Sequence, residues 1–262
     1  MNEFGHHFLY NRFLFEGSLK LITALKISSG RASDATDAPF MKMSGDTPYI
    51  PGSSLRGAVR SEVERLLNTP GIATDLKSCF LFEEGNCESN VKRLLEEIDD
   101  QDSEAKDKFV FKVARDKLCD VCKLFGSTIY ASRLIFEDAV PTPTSIGIRT
   151  CIRDGVGIDR DTGAAREGVK FDYEVVEKDQ LFTFKMRSEN VTTKDKRIID
   201  LIQFILMEGI YVGGKRSGGL GMVRMEKPWN ITGFMDPQSL SKAIEERSSA
   251  YKPVDWKEVV PC

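Results

Sequence analysis

Three patterned segments predict the core of the fold. Residues 13–27, FLFEGSLKLITALKI, alternate apolar and polar positions, which indicates a half-buried first strand. Residues 49–68, YIPGSSLRGAVRSEVERLLN, place apolar side chains at helical spacing, with Ser53 or Ser54 as the expected N-cap. Residues 194–208 repeat the helical spacing with one apolar face. Together these segments predict a domain of the α+β class.

Two segments between these elements lack a regular pattern. Residues 28–47 are rich in Ser, Gly, Ala and Asp, which is typical of a loop, and this loop lies directly upstream of the first helix. Residues 69–117 are acidic and irregular apart from a helical pattern near 91–98. With the cysteines that flank this stretch, we expect residues 69–123 to form an inserted subdomain.

The second half of the chain adds shorter elements. A short strand is predicted within residues 132–139. Residues 144–169 are polar and rich in Gly and Arg, and they lie between strand-like segments that end in FDYEVV and LFTFKM. This pattern predicts a hairpin or arm that projects from the sheet. The tail, residues 239–262, is expected to begin with a short surface helix over 239–251.

Charge is segregated along a chain that is nearly neutral overall. The 262 residues are 41% hydrophobic and 29% charged, with a formal net charge of -3. That balance argues against a nonspecific polyanion binder, which usually carries a basic excess. Arg and Lys nevertheless gather in 56–65, 149–166 and 215–224, whereas acidic residues crowd 83–107. Three basic segments could converge in space on one partner.

The sequence shows neither a membrane span nor the apolar run of a signal peptide. No stretch reaches the uninterrupted apolar length of a membrane span, and His6 and His7 stand where a signal peptide would be apolar. We therefore expect a cytoplasmic protein with no membrane partner. In that compartment thiols stay reduced, so the six cysteines are not expected to form disulfides.

Four cysteines have the spacing of a metal site. Cys119 and Cys122 form a CxxC pair, and Cys79 with Cys87 could complete a tetrahedral thiolate site for structural Zn²⁺. Buried free cysteines and a redox pair are the alternatives, although the strand-to-helix context of a redox motif is missing. The two remaining cysteines, Cys151 and Cys262, lie outside this set.

A glycine-rich segment, GGKRSGGLG, is the most informative motif. Its exposed amides and its cations could cradle a phosphate backbone, but its order is not that of a nucleotide-binding P-loop. A tight helix-to-strand turn is the alternative. The candidate RNA-binding residues in it are Gly213, Gly214, Lys215, Arg216, Gly218 and Gly219.

The turn that opens the first helix is a second candidate for phosphate contact. Helix N-termini present free amides and a positive dipole end, and two arginines one turn apart could extend that surface. The candidate residues are Ser53, Ser54, Arg56 and Arg60. An ordinary capped surface helix is the alternative interpretation.

Taken together, IPGSSLRGAVR and the downstream GGKRSGGLGMV resemble the RAMP superfamily of CRISPR-associated proteins. The loop TDAPFM narrows this resemblance to the repeated backbone subunit of type III effector complexes. The resemblance implies one RAMP domain over residues 1–262, with a ferredoxin-like core related to the RNA-recognition fold (RRM). It also implies that residues 144–169 form the family's thumb, with Arg149 and Arg153 in contact with RNA.

The resemblance further implies partners and chemistry. The expected partners are CRISPR guide RNA, complementary target RNA, other effector subunits and further copies of this chain. Asp37 matches the aspartate that the family needs for target cleavage, and Asp34 is the runner-up because one sequence does not fix the loop register. Such a residue could activate the ribose 2′-OH or hold a divalent cation such as Mg²⁺. An aspartate in a Ser and Gly loop is otherwise an ordinary turn former.

Three other functions remain open from the sequence. A non-cleaving paralogue that caps or spaces the guide filament would share the glycine and serine motifs and differ only in the aspartate loop. An endoribonuclease that processes CRISPR transcripts usually depends on histidine or tyrosine, and the chain's two histidines lie near its start. A metal-stapled structural protein unrelated to RNA is the third, and salt-dependent retention on RNA would separate it from the others.

Overall fold

A computed structural model describes residues 6–30, 32–33, 36–72, 74–80, 83–96, 112, 116–143 and 147–259. Its helices there are α1 (Gly52–Leu67), α2 (Cys87–Glu96), α3 (Asp120–Phe125), α4 (Thr193–Glu208) and α5 (Pro237–Glu245). Its strands are β1 (Arg12–Leu21), β2 (Leu134–Phe136), β3 (Val140–Pro141), β4 (Thr150–Ile158), β5 (Ala165–Val176), β6 (Leu181–Glu189), β7 (Ile210–Tyr211), β8 (Met222–Met225), β9 (Asn230–Phe234) and β10 (Lys252–Pro253).

The main sheet is antiparallel and is built around β1. On one side β1 pairs with β6, whose other edge carries β2 and β3. On the other side β1 pairs with β8 and β9. With α1 after the first strand and α4 after the third, the core runs β-α-β-β-α-β in the spatial order 4-1-3-2, which is the ferredoxin-like connection.

The alternating pattern of the first strand is confirmed over a shorter range than predicted. Phe13, Phe15, Leu19 and Leu21 are fully buried, as the period of two requires. The strand ends at Leu21, whereas the sequence predicted that it continues through residue 27. Beyond that point the chain leaves the ladder, and the amides of residues 22 and 23 both donate to the Met222 carbonyl.

Helix α4 matches its prediction to within one residue. Thr192 and Asp195 form a reciprocal capping box at its start, so the N-terminal amides are satisfied locally. Ile198, Ile202 and Ile205 are buried on its apolar face. Because both signals lie within the helix's own sequence, the pattern alone was sufficient to place it.

Helix α1 begins differently from the prediction. Its N-cap is Pro51, whose side chain forms no capping hydrogen bond, so the expected serine cap is wrong. Instead Asp138, just after β2, accepts the Gly52 amide hydrogen at 2.7 Å. A Cβ at Gly52 would lie 2.2 Å from the Phe136 carbonyl oxygen, so the helix start packs directly on strand β2.

Strands β4 and β5 form a separate two-stranded antiparallel hairpin, here named the arm. Strand β5 runs to Val176, so FDYEVV belongs to the arm and does not form a separate flanking strand as the sequence suggested. At the base of the arm, Val176 pairs with Leu25 through mutual backbone hydrogen bonds. The start of the predicted arm, residues 144–146, lies outside the described residues.

The cysteine-bearing segment adjoins the main core. Val91, Leu118, Val121 and Leu124 are buried in the same apolar cluster as the sheet. Helix α2 begins at Cys87, four residues before the predicted helical pattern, and residues 97–111 lie outside the described part of the chain.

The tail adds one helix and one short strand to the fold. The predicted tail helix over 239–251 is observed as α5 from Pro237 to Glu245, and the two-residue strand β10 follows it on β9. In the part of the chain that the structure describes, no helix is long and apolar enough to cross a membrane.

Candidate metal site and nucleic-acid interface

The four predicted cysteines lie together. The Sγ atoms of Cys79, Cys87, Cys119 and Cys122 are all within 4.8 Å of one another, and three of these residues are buried. Cys79 Sγ is 3.6 Å from Cys122 Sγ and 3.8 Å from Cys119 Sγ. A tetrahedral zinc thiolate with bonds of about 2.3 Å requires sulfur separations of about 3.8 Å. The arrangement could therefore hold a metal ion such as zinc.

The electrostatics of the four thiols favour a cation among them. Hydrogen bonds from Cys119 and Cys122 lower the pKa of Cys79, and those from the same two residues lower the pKa of Cys87 to about 7. By contrast, the hydrogen bond with Cys119 and the nearby Cys79 raise the pKa of Cys122. Negative charge on some of the thiols therefore opposes ionisation of the others. A bound divalent cation removes that repulsion.

Backbone contacts hold the two halves of the cysteine cluster in register. Asp120 is buried, and its Oδ2 accepts the Lys77 amide hydrogen at 2.7 Å while its own amide donates to the Lys77 carbonyl. The Cys87 and Cys119 sulfurs accept the backbone amides of Cys119 and Cys122 at 3.1 and 3.4 Å. Such amide donors stabilise thiolates, as ligands to a metal require.

The arginine face of α1 points towards this cluster. Arg60 is 8% exposed and donates to Glu64 Oε1 at 2.7 Å, to the Gly126 carbonyl at 2.9 Å and to Cys122 Sγ at 3.3 Å. Arg56, one turn earlier, donates to the Phe125 carbonyl. The expectation of two exposed arginines is therefore wrong for Arg60, whose donors are turned inward by the packing of the cysteine segment on α1.

The serine face of α1 has a different neighbour. Ser54, Ala58 and Ser61 follow one another at helical spacing and so share a face. Ala58 and Ser61 line a surface groove of about 400 Å³ together with Arg216 of the glycine-rich loop. Ser53 is exposed at the helix start. The glycine-rich loop therefore meets α1 beyond the predicted serine residues, at Ala58 and Ser61.

The glycine-rich loop is a tightly bonded turn. Gly213 and Gly221 have φ of 80° and 93°, and a Cβ at either would lie 2.2 Å from a carbonyl oxygen, that of Lys26 or Val212. The amides of residues 214, 218, 219, 220 and 221 donate to carbonyls inside or beside the loop. The turn interpretation therefore accounts for much of the glycine pattern, while Gly214, Gly218 and Gly219 have open space at their Cβ positions.

The loop's lysine rests on the arm. Lys215 Nζ lies 4.2 Å from the ring centroid of Phe171 and 4.4 Å from that of Tyr173. Lys26 Nζ lies 4.4 Å from the same Tyr173 ring. The two rings are stacked with centroids 6.1 Å apart. These cation–π contacts join the glycine-rich loop, the segment after β1 and strand β5.

The aspartate loop meets the opposite face of the same strand. Asp37 is exposed, and its amide donates to Asp172 Oδ1 at 2.8 Å while the Asp172 amide donates to Asp37 Oδ2 at 3.1 Å. Thr36 Oγ1 also donates to Asp172 at 2.6 Å, and hydrogen bonds from Thr36 and the Asp37 amide lower the pKa of Asp172. Glu174, two residues along, accepts the Phe40 amide at 3.0 Å.

The remaining predicted site residues are Arg149, which immediately precedes strand β4, Arg153, which pairs with Tyr173 across the arm, and Asp34. Arg149 is largely exposed near a partner carboxylate, Glu177, at 3.3 Å, and Arg153 is exposed on β4. Asp34, the alternative to Asp37, lies outside the described residues. In the described part of the chain, no group of three or more metal-ligating side chains includes Asp37.

The contacts of strand β5 with the aspartate loop and with the two lysines, here named the junction, involve several residues that the sequence analysis missed. Asp172 and Glu174 hold the aspartate loop, and Phe171 and Tyr173 hold the lysines. Their alternation in FDYEVV is the signal that could have revealed them, since successive residues of a strand face opposite sides. Lys26 lies in no motif that would have identified it as a site residue.

The chain is an antiparallel α+β domain with a ferredoxin-like core, a glycine-rich loop beside a helix and a four-cysteine cluster. The sequence model of the RAMP superfamily matches residues 18–224, which covers most of the chain. The chain therefore belongs to the RAMP superfamily, and with it comes a CRISPR-associated, RNA-binding role in a multi-subunit complex. A comparison with curated proteins found no match.

Proposed function

We propose that this chain is a guide-RNA-binding backbone subunit of a type III CRISPR effector complex and that it cleaves the guide-paired target RNA at Asp37. The observation that carries the proposal is the junction on strand β5. One face of that strand holds the aspartate loop through Asp172, and the other face holds Lys215 of the glycine-rich loop. A cleavage loop and a phosphate-gripping loop are thereby set at a fixed separation.

The guide strand follows the serine side of α1 in this proposal. The groove between α1 and Arg216 has exposed donors along it, and the glycines with open Cβ positions permit close approach of a ribose-phosphate strand. Sequence specificity comes from guide pairing, so the protein needs only backbone contacts. The other partners are the complementary target RNA, neighbouring effector subunits and further copies of this chain.

Asp37 acts on the target strand. The arm, as the family's thumb, separates nucleotides of the duplex so that a ribose 2′-OH lines up with its own phosphorus. Attack by that oxygen forms a 2′,3′-cyclic phosphate and releases the 5′ oxygen, which takes up a proton. Asp37 accepts the 2′-OH proton or helps to hold a divalent cation such as Mg²⁺, which would stabilise the leaving oxygen.

The proposed domain boundaries are the ones that the sequence predicts. Residues 1–262 form one RAMP domain, in which 69–123 is an inserted subdomain held by structural zinc and 144–169 lies in the thumb. Residues 239–262 are a C-terminal tail. The short edge strand β10 and the cysteine cluster are consistent with this division.

Replacement of Asp37 by Asn in a reconstituted complex tests the cleavage assignment. Removal of a group that transfers a proton or holds a catalytic cation should slow target cleavage on the order of a hundredfold or more, with guide binding unchanged. The matched control is Asp46→Asn, because Asp46 is an exposed aspartate of the same loop region.

The measurement is single-turnover cleavage of a labelled complementary RNA, with and without added Mg²⁺, beside a gel-shift measurement of guide binding. Wild-type cleavage rates in the D37N complex would remove the catalytic assignment. A wild-type complex that binds guide and target but never cuts would instead support the non-cleaving paralogue.

A further inference from the structure

Two lysines from distant parts of the chain share one aromatic ring. The ammonium groups of Lys26 and Lys215 each lie 4.4 Å from the centroid of Tyr173. Lys215 also contacts Phe171, whose ring covers Gly155 of β4 so closely that a Cβ there would lie 2.3 Å from it. One side of Phe171 is therefore closed by the arm itself, and the cations lie over the rings of the aromatic pair.

Neither lysine forms an ion pair with any residue that the structure describes. The carboxylates nearest in sequence, Asp172 and Glu174, are turned to the other face of β5, where they bind the 36–40 segment. Burial and the positive charge of Lys215 lower the pKa of Lys26. Two like charges are thus held on one aromatic ring.

The backbone fixes this arrangement. Lys215 has φ of 57° and ψ of 37°, the left-handed region that non-glycine residues seldom adopt. The Gly214 amide donates to the Lys26 carbonyl at 3.0 Å, and Gly213 packs against the same carbonyl. Strained backbone and imposed like-charge proximity both cost stability, and such costs concentrate at ligand sites.

We propose that Lys26 and Lys215 together bind a single phosphodiester group of RNA, with Tyr173 and Phe171 as the cradle that positions the two ammonium groups. The inference rests on the proposed RNA-binding function and adds to it a defined two-lysine phosphate site. A phosphate oxyanion between the two cations removes their repulsion, and each ammonium keeps hydrogen-bond donors free to reach it. The site takes any sequence, because it touches no base.

The test measures binding of a labelled single-stranded oligouridylate to the full chain at several salt concentrations. Lys26→Met and Lys215→Met should each weaken binding on the order of tenfold, as expected for loss of a charge-assisted hydrogen bond. If both lysines serve one phosphate, the double variant should lose far less than the product of the two single losses. Lys26→Arg should retain most of the affinity.

The matched control is Lys252→Met. Lys252 is exposed and pairs with Gly233 beside Phe13, at the opposite end of β1 from Lys26. Thermal melts of every variant establish that the fold is retained, and Tyr173→Leu separately tests the cradle, since it should weaken binding with both lysines present.

The outcomes separate this site from the broader function. Wild-type affinity in K26M, or losses that multiply in the double variant, would overturn the shared phosphate site while RNA binding itself stands. Failure of the wild-type chain to bind oligouridylate, alone and in the complex, would overturn the proposed function as well.

Discussion

The guanidinium group of Arg60 forms three hydrogen bonds, one to Glu64 on the same helix and two, to Gly126 and Cys122, that join α1 to the cysteine segment. Its partner Glu64 is also buried, so the ion pair is largely shielded from water. The charge of Arg60 lies beside Cys122, where negative charge develops when the thiols ionise. A single side chain therefore serves both the packing of α1 and the electrostatics of the sulfur cluster.

Loss of this guanidinium should destabilise the fold strongly. In Arg60→Met the Glu64 carboxylate stays buried without its cation, which costs about 3–5 kcal/mol. The matched control on the same helix is Arg65→Ala, because Arg65 is exposed and its ion pair with Glu62 should contribute less than about 1 kcal/mol. Urea unfolding midpoints measure the stability of both variants. Equal midpoints for R60M and R65A would show that Arg60 stabilises the fold no more than an exposed arginine does.

The inward direction of Arg60 could not be read from sequence. Spacing identified Arg56 and Arg60 as neighbours on one helix face, which the structure confirms, but not which part of the protein covers that face. The cover is supplied by Gly126 and Cys122, more than sixty residues away along the chain. The local sequence pattern determines on which face of a helix a side chain lies. Tertiary packing determines whether that face is exposed to solvent or buried.

At the scale of elements, the two glycines of α1 have opposite roles. Gly52 lies where a Cβ would approach the Phe136 carbonyl oxygen to 2.2 Å, so its bare backbone lets α1 pack on β2. Gly57 is in the helix interior with no atom near its Cβ position. In such an open site glycine only costs backbone entropy.

Alanine at each position should therefore shift stability in opposite directions. Gly57→Ala should stabilise the protein by about 0.5–1 kcal/mol, the usual helix gain over glycine. Gly52→Ala should destabilise it, because the clash is with backbone that has no alternative rotamer. Thermal melts of the two variants check this, and a stabilised G52A protein would contradict the close approach.

The elements also show where sequence patterns are sufficient. Helix α4 carries its own cap and its own apolar face, so its position was predicted nearly to the residue. Helix α1 was predicted in extent but not in its start, because its first amide is bound by Asp138, which lies between β2 and β3, far along the chain. The alternating residues of FDYEVV in strand β5 indicate two different faces. The loops that bind each face come from elsewhere in the chain, so the sequence does not identify them.

At the scale of the whole molecule, chain-distant contacts make the site. The cysteine set was predicted because its residue type and CxxC spacing have few structural uses, and the structure brings the four sulfurs together. The junction on β5 was not predicted, since it depends on the return of the segment after β1 to the base of the arm. The proposal that Asp37 cleaves target RNA rests on the family resemblance and on the junction. The cleavage assay of the D37N complex tests it.

The buried cysteine cluster is continuous with the main core, so metal binding should stabilise a defined part of the molecule. Cys87, Cys119 and Cys122 belong to the same apolar cluster as the sheet residues, and Arg60 links them to α1. Metal analysis should find about one zinc per chain. Chelation should lower the melting temperature, because binding energy at a four-thiolate site is folding energy.

Hydrogen exchange in the chelated protein should show where that energy acts. Amides of α3 and of residues 77–80 should exchange faster, because cysteines anchor both segments, whereas β1 and β6 should stay protected by their long antiparallel ladder. Cys119→Ser should reproduce the loss of metal, and Cys151→Ser, a cysteine of the arm outside the cluster, should retain it. Full zinc content in C119S, or faster exchange spread evenly over the sheet, would contradict a structural metal confined to this cluster.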